Sequence, residues 1–166
     1  MRHQETRAPA APLAGAAGCR FAVIVSRFNE SITSALRDGA RAALAEAGVA
    51  PSDIEELQVP GAFELPQAAR RAAETGRFDA IVCLGCVIRG DTPHFEYIAS
   101  AVAHGIMDAA GETGVPIAFG VLTTDNEAQA AERAQPGRGN KGWEAAAAAI
   151  DMARLFRTLA ERARRS

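Results

Sequence analysis

The sequence predicts an α/β fold in three layers, an αβα sandwich in which a four-stranded parallel sheet lies between helices. Four short apolar runs alternate with segments whose apolar residues recur at helical spacing. Continuous apolar runs are typical of parallel strands that are buried on both faces, and helical crossovers between such strands cover both faces of the sheet. The 166 residues, of which 48% are hydrophobic, suit one domain with a substantial core.

Each element is marked by its own residues. The predicted strands span residues 21–25, 54–59, 80–88 and 115–122. The predicted helices begin after Asn29, at Phe63, at Pro93, after Thr124 and after Gly142. We expect Asn29 to cap its helix through its side chain, Pro93 suits a first helical position, and residues 124–127 resemble a capping box. Gly48 and Gly76 end the first two helices.

The N-terminal segment and the overall charge indicate where the protein works. Pro9 and Pro12 oppose regular structure, so we expect residues 1–19 to form a flexible leader before a single domain of residues 20–166. No apolar stretch is long enough to span a bilayer and the leader lacks the pattern of a signal peptide, so we expect a cytoplasmic protein. The net charge of −2 gives no reason to expect a nucleic-acid or membrane partner.

Several chemical classes lack the residues that they need. The three cysteines do not suit a disulfide scaffold, and Cys83 and Cys86 would point to opposite faces of one strand, which disfavours a redox pair. The three histidines are scattered, so we expect no metal. The Gly-rich dinucleotide motif, the P-loop lysine motif and the G-x-S-x-G elbow are missing from the sequence. Lys141 is the only lysine and hence the only candidate for an enzyme-bound Schiff base.

We interpret the unusual residues of the sequence as lying at the carboxyl ends of the predicted strands. They are residues 27–29, 61–64 and 90–94, together with Phe119. Ligands of open parallel sheets bind beyond the carboxyl ends of the strands, because the loops that follow the strands meet at that edge. We therefore expect these residues to converge on one binding site.

Residues 90–94 are the best candidate for an anion site. A glycine and a Thr-Pro helix start would expose backbone N–H groups beside the positive end of a helix dipole, which favours phosphate. An ordinary capped turn also explains the loop, and the loop taken alone favours that interpretation. His94 could exchange protons near neutral pH, or it could be a surface histidine.

Three further side chains each allow two interpretations. Phe28 could stack on a planar ring or belong to the core. Glu64 could bind a ligand or only stabilise a helix start. Arg133 could bind the last carbonyl groups of a short helix or reach a phosphate as a forked donor. Each of these signals is weak by itself.

Read together, the motifs resemble the lumazine synthase family in order and spacing, from about residue 21 to residue 159. They are SRFN at 26–29, VPGAFE at 59–64, GCVIRGDTPHF at 85–95, FGVLTT at 119–124, and ERA at 132–134 followed by GNKG at 139–142. The resemblance implies a flavodoxin-like sandwich and an enzyme that condenses 5-amino-6-(D-ribitylamino)uracil with 3,4-dihydroxy-2-butanone 4-phosphate. The product would be 6,7-dimethyl-8-ribityllumazine, the precursor of riboflavin, and neither a metal nor an organic cofactor would take part.

The same resemblance implies roles for individual residues. Those that would contact the ribitylamino-pyrimidine are Phe28, Ala62, Phe63, Glu64, Cys86, Val87, Ile88 and Phe119. Those that would bind the sugar phosphate are Asp91, Thr92 and, from a neighbouring subunit, Arg133. His94 would transfer protons. Phe28 would stack on the pyrimidine, and residues 86–88 would act chiefly through backbone groups.

The resemblance also implies a homo-oligomer with active sites shared between subunits. A pentamer is the expected minimum, a hollow icosahedral 60-mer stays open, and riboflavin synthase is a potential partner. The chain departs from many relatives at Asp91 and at residues 135–138, which bear on phosphate affinity and on assembly. Two alternatives stay open: an archaeal-type riboflavin synthase, and a flavin- or lumazine-binding module without catalysis. The phosphate loop with Arg133 argues against the first, and the intact His94 and Phe28 argue against the second.

Overall fold

The computed structural model describes residues 13–166 of the chain. Its sheet holds β1 (Phe21–Ser26), β2 (Ile54–Val59), β3 (Ala80–Ile88) and β4 (Ile117–Thr124), all parallel. The strands lie in the order β2-β1-β3-β4, and Phe21 of β1 is opposite both Ile54 and Ala80. The predicted α/β class and the four-stranded parallel sheet are confirmed.

Helices cover both faces of this sheet. In residues 13–166 they are α1 (Glu30–Glu46), α2 (Leu65–Glu74), α3 (His94–Thr113), α4 (Glu127–Arg133) and α5 (Lys141–Arg165). Because side chains alternate along a strand, Val23 and Val82 pack with α1 and α5, whereas Ile24 and Ile81 pack with α2 and α3. Short 3-10 turns at Pro51–Asp53 and Ala62–Glu64 precede β2 and α2.

Three predicted boundaries shift at prolines. The fourth strand was expected at 115–122 but runs over Ile117–Thr124, because Pro116 has no N–H to donate to a strand ladder. The helix expected from Phe63 begins as the Ala62–Glu64 turn, and α2 starts at Leu65 with a proline in its first turn. Pro93 precedes the first residue of α3 rather than occupying it.

The helix caps also differ from two of the predictions. Asn29 makes no side-chain cap on α1 and has left-handed backbone angles, with φ 62° and ψ 48°. The cap of α4 is Asn126, whose side chain accepts from the N–H of Gln129 at 2.8 Å. Gln129 in turn accepts from the N–H of Asp125 at 2.9 Å, so the capping contacts fall later in the segment than a cap at Thr124 would place them.

The predicted leader is described only from residue 13, and residues 1–12 lie outside the described part of the chain. Ala16 and Cys19 are fully buried in the core, and the N–H of Ala16 donates to Ala47 at 3.3 Å. Packed structure thus extends upstream of residue 20. None of the helices in residues 13–166 is long and apolar enough to cross a membrane. The same residues contain no cluster of three acidic, histidine or cysteine side chains that could hold a metal ion.

The junction between α4 and α5 is fixed against α1 by Asn140, which is 1% exposed. Its side-chain amide donates to the carbonyl oxygens of Ala35 and Ala134, at 3.1 and 2.9 Å. Its side-chain oxygen accepts from the N–H groups of Gly142 and Trp143, which caps α5. These four contacts satisfy both donors and both acceptor positions of the amide, so the junction is rigidly placed.

Candidate active site

A pocket with a volume of about 320 Å³ opens at the carboxyl ends of β1, β2 and β3. The predicted site residues that line it are Phe28, Ala62, Phe63, Glu64, Cys86, Val87, Ile88, Thr92 and His94. Asn29, Phe95 and Ile98 also line it, and the sequence did not predict Phe95 and Ile98 as site residues. Asp91 is exposed and does not line the pocket. Neither do Phe119 and Arg133, which lie elsewhere.

The turn after β1 presents Phe28 at the mouth of the pocket. The N–H groups of Arg27 and Phe28 donate to Val59 and Pro60 at 2.9 and 3.0 Å, which holds this turn against the end of β2. The Phe28 side chain is 72% exposed, so it is not a core residue. An exposed ring at a pocket mouth is suited to stacking on a flat ligand.

Residues 61–64 form a second wall of the pocket. The Glu64 carboxylate accepts from the N–H of Gly61 at 3.1 Å, so one of its oxygens closes the 3-10 turn. Its other oxygen has no recorded donor in residues 13–166 and can accept from a polyol. Ala62 is buried and Phe63 is exposed, so this wall is apolar around one carboxylate.

The end of β3 forms the floor and leaves one backbone edge open. β1 pairs with β3 only as far as Leu84, whereas β3 continues to pair with β4 up to Ile88. The side-chain amide of Asn29 donates to the carbonyl oxygen of Cys86, which faces the β1 side. Since alternate residues of a strand direct their backbone groups to the same side, Ile88 presents its N–H and C=O there too. A planar ligand with donors and acceptors on its edge can pair with this open strand.

The thiols near the floor are poor nucleophiles. Burial raises the pKa of Cys83 to about 12. Burial, with a smaller effect of the Glu127 charge, raises the pKa of Cys86 to about 11. Cys83 and Cys86 belong to the cores on opposite faces of the sheet, and neither forms a disulfide. Both thiols are therefore protonated near neutral pH, and Cys86 contributes shape and backbone groups to the pocket.

The segment before α3 supplies unpaired N–H groups. In residues 13–166 the amides of Gly90, Asp91, Thr92 and His94 have no recorded acceptor, and no side chain caps α3. These donors meet the positive end of a 20-residue helix, an arrangement that binds anions. The exposed imidazole of His94 lies in the same pocket. The geometry thus supports an anion site beside a proton-transfer group.

Phe119 and Arg133 lie together on a different surface, in a depression of about 360 Å³ along the outer edge of β4. Phe119 is 46% exposed and pairs with Cys83 in the middle of the sheet. The prediction that it converges with the strand ends is therefore wrong within one chain. Arg133 donates to the carbonyl oxygen of Gln129 at 3.0 Å and is exposed.

Lys141 also lines this depression, and the sequence did not single it out for the binding site. Its ammonium group lies 2.9 Å from the Glu144 carboxylate. Two signals in the sequence could have identified it: it is the only lysine, and it follows the buried Asn140 within the GNKG motif. We call the surface formed by Phe119, Arg133 and Lys141 the β4-edge patch.

Comparisons with known proteins identify the family of the chain. The family model for 6,7-dimethyl-8-ribityllumazine synthase matches residues 18–157. The 6,7-dimethyl-8-ribityllumazine synthase of Syntrophus aciditrophicus (strain SB) is 55% identical over 144 residues, which cover 87% of this chain and 94% of that protein. The match spans the strand ends, the open amides before α3 and the β4-edge patch, and the chain belongs to the 6,7-dimethyl-8-ribityllumazine synthase family.

Proposed function

We propose that this chain condenses 5-amino-6-(D-ribitylamino)uracil with 3,4-dihydroxy-2-butanone 4-phosphate to form 6,7-dimethyl-8-ribityllumazine, a step in riboflavin biosynthesis. One observation carries the proposal: a single pocket combines an exposed aromatic ring, an open strand edge and unpaired amides next to an imidazole. These features match a flat heterocycle and a phosphate held side by side. Holding two reactants together supplies a large part of the rate enhancement.

The pyrimidine would lie between Phe28 and the floor of the pocket. Its edge donors and acceptors would pair with the open backbone groups of Cys86 and Ile88, beside Val87, and its ring would stack on Phe28. The ribityl chain would extend along Ala62 and Phe63, where the second oxygen of Glu64 accepts from its hydroxyl groups. This arrangement uses every residue that the family resemblance assigns to the pyrimidine except Phe119.

The sugar phosphate would bind at the amides before α3. The Thr92 hydroxyl and the N–H groups of residues 90–92 are donors of the kind that a phosphate dianion needs. Asp91 would contribute only its backbone N–H, because its carboxylate would repel the phosphate and is exposed to solvent. The fixed dipoles of these N–H groups and of α3 would then stabilise the negative charge of the departing phosphate.

His94 would move the protons. The amine of the pyrimidine attacks the ketone and forms an imine with loss of water. A proton then leaves the adjacent carbon as phosphate departs from the next one, and the resulting enol becomes a ketone by proton transfer. The ribitylamino nitrogen attacks this carbonyl and closes the ring with loss of a second water. The substrate brings its own amine, so Lys141 is not needed as an enzyme amine. The imidazole of His94 in the same pocket as the anion site can accept and return these protons.

We further propose that each site is completed by a neighbouring copy. The β4-edge patch carries cationic and aromatic groups that the family uses, yet it lies outside the pocket of its own chain. A pentamer in which this patch faces the pocket of the next subunit would bring Arg133 to the phosphate and Phe119 to the pyrimidine. An icosahedral shell and an association with riboflavin synthase extend the same proposal, as does a cytoplasmic location.

The test mixes both substrates with the purified protein and follows lumazine absorbance and phosphate release. We expect both signals for the natural chain and at least about a 10-fold lower kcat for His94→Ala. His104→Ala is the matched control, because His104 is exposed on α3 and binds the carbonyl oxygen of Ser100 outside the pocket. Unchanged kinetics in His94→Ala would remove the residue from its role. Riboflavin formed from lumazine alone would favour the riboflavin synthase alternative, and binding without turnover would favour a binding module.

A further inference from the structure

We propose that Arg89 is a positioning residue that keeps the phosphate-binding segment 90–93 in shape and offsets part of the negative charge around it. The inference rests on the proposed function, and it concerns a side chain that lies outside the pocket. Arg89 is the last residue before the segment, directly after β3. Its contacts therefore determine how the segment leaves the sheet.

The guanidinium of Arg89 joins two structural elements that flank the segment. Its Nε lies 2.9 Å from Oδ1 of Asp125, in the turn between β4 and α4. Its Nη1 lies 3.4 Å from Oε1 of Glu96, in the first turn of α3. Its Cζ lies 4.7 Å from the ring centroid of Phe95, a residue that lines the pocket. One side chain thus ties the end of the sheet, the start of α3 and a pocket wall together.

Few other contacts restrain the segment. In the described part of the chain, residues 90–93 make no side-chain hydrogen bond and no ion pair. The backbone contacts at its two ends are the N–H of Arg89 to Thr124 at 2.8 Å, and the N–H of Glu96 to Pro93 at 3.0 Å. The middle of the segment has its amides open, which binding requires. The geometry of those amides therefore depends on the clamp that Arg89 forms.

The charges around the segment give Arg89 a second effect. Asp91, Glu96 and Asp125 place three carboxylates in and beside a segment that is to receive a phosphate dianion. The hydrogen bonds that Arg89 donates to Asp125 and Glu96 raise its pKa, so it stays cationic and offsets part of their combined negative charge. Its donors are directed at those carboxylates and not into the pocket. Arg89 therefore affects phosphate binding indirectly, because it holds the segment in place and makes the local electrostatic potential less negative.

The test compares Arg89→Gln, Arg89→Lys and the neutral triple variant Arg89→Gln/Glu96→Gln/Asp125→Asn. In steady-state kinetics we expect Arg89→Gln to raise the KM for the sugar phosphate about tenfold, with the KM for the pyrimidine changed less than about twofold. Arg89→Lys keeps the charge but loses the forked contact. Its KM for the sugar phosphate should lie between the values of the natural chain and Arg89→Gln. The triple variant should recover part of the loss, because the repelling carboxylates leave together with the arginine.

Binding of inorganic phosphate, measured by calorimetry, supplies a readout that needs no turnover and should follow the same order. Arg71→Gln, on the exposed side of α2, is the control and should behave as the natural chain does. Three outcomes would each overturn the proposal: unchanged phosphate affinity in Arg89→Gln, equal increases in both KM values, or a triple variant no better than the single one. A natural chain that binds phosphate but makes no lumazine would instead contradict the proposed function and leave the effect of Arg89 measurable.

Discussion

The side-chain amide of Asn29 donates a hydrogen bond to the carbonyl oxygen of Cys86 at 3.1 Å. This bond joins the turn after β1 to the last part of β3, just beyond Leu84, where the two strands stop pairing. It takes the place of a backbone hydrogen bond between β1 and β3, and it sets the separation between the Phe28 ring and the floor of the pocket. The left-handed backbone of Asn29, with φ 62°, directs the amide toward Cys86.

Asn29→Ala should weaken pyrimidine binding and lower stability. Alanine cannot donate to Cys86, and an L-residue with a Cβ pays about 1–2 kcal/mol for left-handed angles that asparagine tolerates better. Loss of the hydrogen bond adds about 1 kcal/mol. We expect a higher KM for the pyrimidine, a smaller change for the sugar phosphate, and a lower midpoint of urea unfolding.

Asn29→Gly separates the two effects, because glycine adopts the left-handed angles without strain but has no amide to donate. Its KM for the pyrimidine should rise as in Asn29→Ala, while its loss of stability should be smaller. A glycine variant with natural pyrimidine affinity would show that the bond to Cys86 does not shape the pocket.

The junction between α4 and α5 should tolerate no side chain at Gly142. A Cβ there would lie 1.9 Å from the carbonyl oxygen of Leu36, which belongs to the backbone of α1 and cannot move aside cheaply. We expect Gly142→Ala to cost about 3 kcal/mol or more in urea unfolding. Gly139→Ala is the control, because nothing lies within 4 Å of its Cβ position, and it should change stability by less than about 0.5 kcal/mol. Similar losses in both variants would contradict the close approach of the helices.

The buried thiol of Cys83 should make the protein less stable at alkaline pH. The ordinary pKa of 9.0 applies when the chain is unfolded, and burial raises it to about 12 in the folded chain. Between these values the unfolded state loses a proton that the folded state keeps. The free energy of unfolding should therefore fall by up to about 1.4 kcal/mol per pH unit for this thiol as the pH rises above about 9.

Cys83→Ala should flatten that alkaline slope, although it costs about 1 kcal/mol near neutral pH through lost packing. Urea unfolding of both proteins at several pH values between about 8 and 11 measures the difference. Parallel slopes for the natural chain and the variant would show that Cys83 does not titrate between its folded and unfolded states in this range.

The fold was predictable where burial alone decides the structure. β3 was predicted with its observed bounds, because Ala80–Ile88 is packed on both faces and its apolar run begins and ends with the strand. β4 was misplaced by two residues, since its run includes Pro116, which is apolar enough for the core but cannot join the ladder. Apolar patterning records burial, and it does not record hydrogen-bond pairing.

The pocket of the candidate site was predictable as a set of segments, but the geometry of single residues was not. Asn29 carries the same side chain that caps helices elsewhere, and only the end of the β1–β3 pairing shows that it serves β3 instead. Phe119 was grouped with the strand-end residues although it lies inside the predicted strand 115–122, and its pairing with Cys83 places it in the middle of β4. The contacts of Arg89 join residues up to 36 positions apart, and no local pattern reveals them.

Two impaired variants should regain activity in mixed oligomers if the β4-edge patch of one chain completes the pocket of another. We call the interface between the pocket of one chain and the β4-edge patch of the next a seam. His94→Ala changes the pocket side of each seam, and Arg133→Ala changes the patch side. Each parent then has one lesion in every seam. Random mixing of equal amounts should leave about a quarter of the seams with an intact pocket facing an intact patch, because each side is natural in half of the chains. We expect lumazine formation well above the sum of the parents after the two proteins are unfolded and refolded together.

Phe28→Ala mixed with His94→Ala is the matched control, since each of these substitutions changes the pocket of the chain that carries it and leaves its patch natural. No seam in that mixture has an intact pocket, so activity should not rise. An affinity tag on one of the two chains verifies that subunits have exchanged. Verified exchange without recovery in the mixture of His94→Ala with Arg133→Ala would show that the patch and the pocket do not meet. Equal recovery in both mixtures would show that the variants regain activity by a route other than a shared seam.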